Sequence, residues 1–481
     1  MTITERAPRT GDPGFLASAR ALSGRDFADG AAAGAWLLGA RRRQRAEVAL
    51  VPFADLRAWT FERGTGDLVH ESGRFFRVQG LRGTSDFPAP IDVQQPIINQ
   101  AEVGVLGVLA RRFDGILHFL LQAKMEPGNV GLVQLSPTLQ ATRSNYTQVH
   151  GGSRPRYLEF FVDRRHGRVL VDQLQSEQGL FFLRKRNRNV IVETDADVPL
   201  DEDFRWMTLG QIKRLLNDAH TVNMDTRTVI AAIPLVSSGA EAEACGYGAR
   251  RDPSTFEEAL VASTLAVHSG VQSMNSVLSW LTEIRSKAVV DGQSCALDAI
   301  DGWHRTDREI RRDDGRYFTI VGAAVESDAR EVGRWTQPMV RPVEAGIAAF
   351  VTTRIDGVLH FLVQARMEIG VWNLIELGPT VQYLPGAPDA GDGAPPFMLR
   401  EVTDGAGVTA RHRSAQSEEG GRFYQYVTEN IVVEIDDRSP MPVPPNYTWV
   451  TLGQLNTLIQ YGNHLNIEAR SVLACLGVHT T

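Results

Sequence analysis

Two short blocks of this chain carry residue types suited to proton transfer. Gln175-Ser176-Glu177-Gln178-Gly179 and Gln416-Ser417-Glu418-Glu419-Gly420 each stand directly before a strand-like run. A carboxylate beside a glycine turn at a strand end can be held against a ligand, and removing a proton next to a carbonyl requires such a base within hydrogen-bond reach. The same residues equally make a turn whose Ser and Glu cap backbone amides, and both readings stand. The first half of the chain also holds Arg143-Ser144-Asn145-Tyr146-Thr147, Gly151-Gly152-Ser153-Arg154-Pro155-Arg156-Tyr157 and Arg184-Lys185-Arg186-Asn187-Arg188-Asn189. Guanidinium forks match phosphate oxygens, and clustered Ser, Asn and Tyr donors suit a diphosphate or a sugar. A solvated strand end is the plainer account of any single arginine among them.

These blocks sit in a chain that contains itself twice. Gln95 to Gln140 realigns without a gap on Gln337 to Gln382, with about 20 of about 46 positions identical against about one in fifteen to twenty by chance. Gln175 to Glu193 realigns on Gln416 to Glu434, and Phe204 to Ile212 on Tyr447 to Leu455. A single period this long means two fused domains and not a solenoid. The halves diverge where a ligand would bind: the first arginine block becomes PGAPDAGDGAPP, and the last becomes QYVTEN.

The elements that must position these residues read as β-rich. VGVLGVLARRFDGILHFLLQA and IAAFVTTRIDGVLHFLVQA are hairpins turned at Asp114-Gly115 and Asp356-Gly357. NVIVE and NIVVE are buried strands, and Thr208 with Gln211, like Thr451 with Gln454, makes a capping box that opens a helix. Each repeat is thus a mixed sheet of antiparallel character with a few helices. The organisation expected is a helical extension over 1–50, repeats over 51–245 and 296–481, and a joining segment over 246–295. In that segment Ser254 and Glu257 form a capping box, and Val267, Val271, Met274, Leu278 and Leu281 mark one face of a long helix from about 254 to 287. Such a helix could bridge the domains and offer a stripe to a second subunit, or lie buried within one chain.

Several classes are unsupported. The net charge of −7 carries no block of like charges, so no nucleic-acid or anionic-membrane partner is indicated. The N-terminus lacks an apolar signal core, and no apolar run is long enough to span a bilayer. Cys245, Cys295 and Cys475 are scattered, without disulfide or zinc spacing, and a cytoplasmic protein is expected. Dinucleotide, P-loop, zinc-hydrolase and serine-hydrolase motifs do not occur. His118 and His360, at matching positions in apolar strands, read as satisfied core histidines, and Met125 and Met367 as core.

GGSRPRYLEFFVD, QLQSEQGLFFLRKRNRNVIVE, WMTLGQIKRLLNDAHTVNMDTRTVI and QSEEGGRFY together resemble the NDP-hexose 2,3-dehydratases of antibiotic deoxysugar biosynthesis. The likeness runs from VPFADLRAWTF to the last helix. It implies an α+β chain, a tandem duplication of a Nudix-like mixed-sheet domain with the halves joined by a long α-helix, acting as a homodimer on dTDP-4-keto-6-deoxy-D-glucose. The Nudix metal loop with R-E-x-x-E-E is missing, so metal-dependent diphosphate hydrolysis is disfavoured. The implied reaction is loss of C3–H and the C2 hydroxyl to a 3,4-diketo-2,6-dideoxy sugar, a lyase reaction with no cofactor and no metal. An NADPH-dependent 3-ketoreductase is the implied partner that traps this product. By the resemblance Trp59 and Trp303 pack against the nucleotide base. Thr142, Arg143, Ser144, Asn145, Tyr146 and Ser176 contact ligand in the first pocket, and Arg316, Trp335, Arg413 and Ser417 line the second. Glu177, Glu418, Glu419 and Tyr424 are the candidates for general base or acid, in a half the sequence leaves open. A non-catalytic nucleotide-sugar-binding protein and a Nudix-type pyrophosphatase are the rival readings.

Overall fold

The computed structural model describes residues 14–142, 155–163, 166–247, 253–330, 332–388, 395–435 and 442–478. The first half runs α1 (Phe15–Arg20), α2 (Gly30–Arg43), β1 (Ala46–Val51), β2 (Trp59–Phe61), β3 (Leu68–His70), β4 (Arg77–Ser85), β5 (Ile91–Asn99), β6 (Gly104–Phe113), β7 (Ile116–Met125), β8 (Val133–Pro137) and β9 (Leu139–Thr142). It continues with α3 (Leu158–Val162), β10 (Arg168–Ser176), β11 (Arg186–Glu193), β12 (Phe204–Thr208), α4 (Leu209–Leu215), α5 (Met224–Ile230) and α6 (Gly239–Ala244). The second half repeats the plan: α7 (Phe256–Leu265), α8 (Met274–Lys287), β13 (Val290–Cys295), β14 (Trp303–Arg305), β15 (Glu309–Arg312), β16 (Phe318–Ser327), β17 (Arg334–Pro342), β18 (Gly346–Ile355), β19 (Val358–Met367), β20 (Ile375–Gly378) and β21 (Val381–Tyr383). It ends with α9 (Leu399–Asp404), β22 (Val408–Ser417), β23 (Val427–Ile435), β24 (Tyr447–Thr451), α10 (Leu452–Gln460) and α11 (Ile467–Cys475).

Each half builds one mixed sheet. In the first its order is β10-β11-β6-β7-β12, with β8 on β7 and β9 on β6; β22-β23-β18-β19-β24, with β20 and β21, matches it in the second. The β11–β6 and β18–β23 pairs are parallel and the other pairs antiparallel. Both hairpins turn where expected: Asp114 and Gly115 have φ of 49° and 82°, Asp356 and Gly357 of 51° and 79°, the left-handed pair a tight turn between twisted strands needs. The capping boxes at Thr208 and Thr451 form with Gln211 and Gln454. His118 and His360 are buried and neutral by the same arrangement. Each Nδ1 faces a carbonyl two residues back, and each Nε2 accepts a backbone N–H, from Arg25 and Val271 respectively.

The joining segment departs from the expected single helix. α7 ends at Leu265, and α8 begins at Met274 after eight intervening residues, with Val267 and Val271 in the connection between them. The backbone there is spent on other partners: Ala266 O accepts from Thr451 Oγ1, Val271 N donates to His360 Nε2, and Gln272 O accepts from Gln454 Nε2. The capping box also shifts by one residue, to Thr255 with Glu258. On α8, Val277 and Leu281 are buried in the chain's own core and Leu278 packs against it, while Val271 is exposed. The same construction recurs in α1 and α2: Ser18 and Ser263 hydroxyls donate to Leu117 O and Leu359 O, and Thr208 Oγ1 donates to Ala21 O as Thr451 does to Ala266 O. The duplication therefore extends through α1, α2 and β1, whose counterparts are α7, α8 and β13.

The halves exchange their first strands. β1 pairs with β16 of the second half, Ala46 opposite Ser327, and β13 pairs with β4 of the first, Val290 opposite Ser85. These complete two smaller sheets, β1-β16-β15-β14 and β13-β4-β3-β2, with β17 on β16 and β5 on β4. The largest hydrophobic core runs through both halves, from Phe15 to Val478, while a smaller core beneath each mixed sheet belongs to one half alone. The backbones of the two halves approach closely at two glycines. A Cβ on Gly128 would lie 1.6 Å from Phe423 O, and one on Gly370 2.1 Å from Gly179 O. Because these obstacles are backbone, Gly128→Ala is expected to cost more than about 4 kcal/mol, read as loss of cooperative thermal unfolding or of soluble protein.

Candidate active site

Both QSE blocks lie at the seam between the halves, each at the end of a strand whose last residues dock on the other half. Ser176 Oγ donates to Glu376 Oε2 at 2.6 Å, and Ser417 Oγ accepts from Gln134 Nε2 at 2.9 Å. Gln175 and Gln416 donate to Ile459 O and Leu216 O, again across the seam. The motif thus survives in both copies where each half grips the other.

Beyond the serines, the first half gathers a buried charged cluster. β7 contributes Lys124 and the chain just after it Glu126, tied through Gln140, which accepts from Lys124 Nζ and donates to Glu126 Oε1. Asn129 and Asn223 each donate to Glu126 Oε2. Glu177 Oε1 accepts from Asn187 Nδ2 at 2.6 Å, whereas its Oε2 is buried with no hydrogen-bond partner. Lys185, Asp225 at the start of α5, and Glu419 with Arg422 from the second half complete the group. The Arg422 guanidinium lies 4.3 Å from the Phe76 ring centre, and Phe76 in turn packs on Trp59 at 4.9 Å.

The electrostatics of this cluster suit proton transfer near neutral pH. Burial pushes the Glu177 carboxyl up to about 7, assisted by Asp225 and opposed by Arg470, Lys185 and the Asn187 bond. Glu419 is pushed up to about 8, again first by burial, with Arg422 opposing. Asp225 is raised well above the carboxylate range by burial and by Glu126 and Glu419. Burial lowers Lys124 to about 8 and lowers Lys185 as well. Carboxyls and ammonium groups are thereby brought within reach of one another's titration, the condition for acid and base to coexist in one site.

The equivalent place in the second half is built differently. Arg366 and Glu368 pair at 3.1 Å, and Glu368 also accepts from Gln382 and from the backbone of Gly179. Glu418 accepts from Gln178 Nε2 at 2.8 Å and is raised by burial. Where the first cluster has Lys185, Glu419 and Arg422, this one has Tyr426, Gln178 and Phe181, so two cations and one carboxylate are exchanged for neutral groups.

The structure therefore brings Glu177 and Glu419 together and places Glu418 in the other cluster. Tyr424 packs against Val321, Ala323 and Met339. Trp59 is buried beside the first cluster, its Nε1 donating to Thr336 O. Trp335 hydrogen-bonds Gln337, which donates to Gly421 O in the second QSE loop. Trp303 borders a separate cleft of about 210 Å³, with Asp298, His304 and Arg305. Arg316 is exposed, and Arg413 pairs with Glu429 and the Val402 carbonyl. Thr142 ends β9 opposite Gly104, and Arg143, Ser144, Asn145 and Tyr146 lie outside the described residues. Lys124, Glu126, Asn223, Asp225 and Arg422 were not among the sequence candidates. A signal existed for the first pair: QAKME and QARME keep a cation and a carboxylate at the end of otherwise apolar strands in both copies.

Among the described residues no group of three or more His, Cys, Asp or Glu side chains is placed to hold a metal ion, and no helix is long and apolar enough to cross a membrane. Comparison with known proteins agrees with the two-fold plan. The model of the family described as NDP-hexose 2,3-dehydratase matches twice, over residues 31–233 and 274–476. A protein of Saccharopolyspora spinosa named dTDP-4-dehydro-6-deoxy-alpha-D-glucopyranose 2,3-dehydratase is 44% identical over 443 residues, covering 92% of this chain and 90% of that one. Proteins of the same name from Amycolatopsis orientalis and Streptomyces violaceoruber are 43% and 42% identical, each over 92% of this chain and over 89% and 96% of their own length. With both halves matched and the relatives aligned over nearly their whole length, the chain belongs to the NDP-hexose 2,3-dehydratase family.

Proposed function

We propose that the protein is a dTDP-4-dehydro-6-deoxy-glucose 2,3-dehydratase whose chemistry takes place at the first-half cluster. The observation that carries this placement is the convergence of Glu177 and Glu419, from different halves, on one buried site that also holds Lys124, Lys185 and Arg422. The C4 ketone acidifies the C3 hydrogen. Glu177, whose Oε2 is buried without a hydrogen-bond partner, takes that proton, and an enolate forms with its charge on O4. Protonated Glu419 delivers a proton to the C2 hydroxyl, which leaves as water, and the enol tautomerises to the 3,4-diketo-2,6-dideoxy sugar. Ammonium and guanidinium groups aimed at O4 contribute about 3–4 kcal/mol each, on the scale of an oxyanion-hole donor.

In this reading each half is a Nudix-like domain, a mixed sheet with one parallel pair and helices packed against it. The protein is a cytoplasmic lyase that works as a homodimer, for which the exposed Val271 beside α8 offers apolar surface. Its product carries the diphosphate β to the C3 ketone, so dTDP is expelled unless an NADPH-dependent 3-ketoreductase traps it. The test is turnover in deuterated water with that reductase and NADPH present. Intact dTDP-2,6-dideoxy sugar with one deuterium at C2 is expected by mass spectrometry. Intact product without deuterium at C2, or dTMP in place of dTDP, overturns the reading.

A further inference from the structure

Two arginines at the seam have not entered the mechanism, although both are fully buried: Arg227 on α5 and Arg470 on α11. Their hydrogen bonds are reciprocal. Arg227 Nη1 donates to Val222 O, its Nε to Ser471 Oγ and its Nη2 to Ser417 O of the opposite half. Arg470 Nη1 donates to Leu465 O, its Nε to Thr228 Oγ1 and its Nη2 to Ser176 O of the opposite half. Each fork fastens its own helix start and reaches over the seam to the carbonyl immediately before the QSE glutamate. A buried guanidinium has no cheaper site for its charge than a set of fully made hydrogen bonds, so each clamp is geometrically stiff.

The two clamps differ in what they hold. Arg227 faces Glu418 first, in the cluster without Lys185 and Arg422 counterparts, and Asp225 more weakly, whereas Arg470 faces Glu376 first and then Glu177 and Glu468. We propose that Arg470 is a positioning residue for the dehydration: from the second half it fixes the Ser176 carbonyl, and thereby the unpartnered Glu177 Oε2, at the first-half site. The inference rests on the reading of Glu177 as the base. The charged and titratable groups facing Glu177 are Asp225, Glu419, Lys185 and Arg470, and Glu376 lies beside both Ser176 and Arg470. Lys185 meets Glu177 through its own backbone carbonyl, which accepts from the Glu177 N–H, whereas Arg470 supplies, from the opposite half, a cation whose side chain itself holds the backbone just before Glu177. Its removal should both loosen the base and make Glu177 harder to ionise.

The near-symmetry provides its own control, since Arg470→Gln and Arg227→Gln each delete one fork of the same construction. Both should lower Tm alike. With Arg470→Gln, kcat should fall at least about tenfold at unchanged KM, and the acid limb of the kcat profile should move up by about one pH unit, the scale of losing a nearby opposite charge. Arg470→Lys, which keeps the charge without the fork, should restore the limb more than it restores kcat, and it serves alone if the Gln variant does not fold. Arg227→Gln should leave the limb in place. Equal limb shifts in both Gln variants, or no shift in Arg470→Gln and full activity in Arg470→Lys, would show two purely structural clamps and overturn the proposal. Glu177→Gln measured alongside separates the failures. Near-normal turnover of that variant removes the base and the proposal with it, whereas an inactive Glu177→Gln beside an unmoved Arg470→Gln limb overturns the clamp only.

Discussion

Glu177→Gln and Glu419→Gln should each lower kcat by about 10²–10⁴, the usual contribution of a positioned acid or base. KM should change little, because either amide keeps the shape of the site and removes only a proton-transfer step. Glu418→Gln, in the second-half cluster, should cost far less turnover, and a loss as large as the other two would move the chemistry to that cluster. The Glu419 substitution carries a second expectation of opposite sign. Its folded-state value of about 8 lies above the ordinary 4.5, so between these limits the folded protein holds a proton that the unfolded chain has released. Stability from this group is therefore complete below about pH 4.5 and is lost as the pH rises toward 8. An amide cannot ionise, and Glu419→Gln should raise Tm at pH 8 by about 2–4 °C while changing it little at pH 5. Calorimetry at the two pH values checks this, and a lower Tm at pH 8 would mean that the ionised carboxylate is needed to hold Arg422.

The second large effect concerns the halves themselves. Expressed as separate polypeptides, residues 14–252 and 253–481 should each fail to give a soluble, cooperatively folded domain, and co-expression should restore both solubility and turnover. The first piece lacks the β13 strand that covers β4, half of the shared core, and Glu419 with Arg422. An uncovered β4 edge offers unpaired N–H and C=O groups to any other chain, which favours aggregation over folding. A soluble first piece with a sharp unfolding transition would show that the exchanged strand is dispensable.

Much of the local structure was legible in the sequence. The Asp-Gly turns, the Thr-Gln capping boxes and the NVIVE and NIVVE strands depend on neighbours a few residues away, and these formed as read. The joining helix did not, because Thr451, Gln454 and His360, nearly a hundred residues or more from the break, take hydrogen bonds that a continuous helix would have kept. Strand exchange was invisible for a related reason: a strand's alternation shows that it has a buried face, not which half supplies its neighbour. At the site, Glu177 and Glu419 were named from the QSE blocks, yet each block alone suggests a self-contained turn. Their meeting, and the recruitment of Lys124 and Asp225, depends on the seam between the halves. Comparing the copies residue by residue is what exposes it, for Lys185, Glu419 and Arg422 are charged where Tyr426, Gln178 and Phe181 are not.

The strand exchange also sets a timetable for synthesis. β1 is among the first strands to leave the ribosome, but its partner β16 lies about 280 residues later. β4 likewise waits for β13, more than 200 residues downstream, which at translation speeds of about 5–20 residues per second is a delay of about 10–40 s. During that interval the nascent first half cannot close either of the smaller sheets. On polysomes, where several such chains hang side by side, the waiting edges of neighbours are the nearest available substitutes. Slow initiation or a holding chaperone should therefore raise the yield of active protein more than a stronger promoter does.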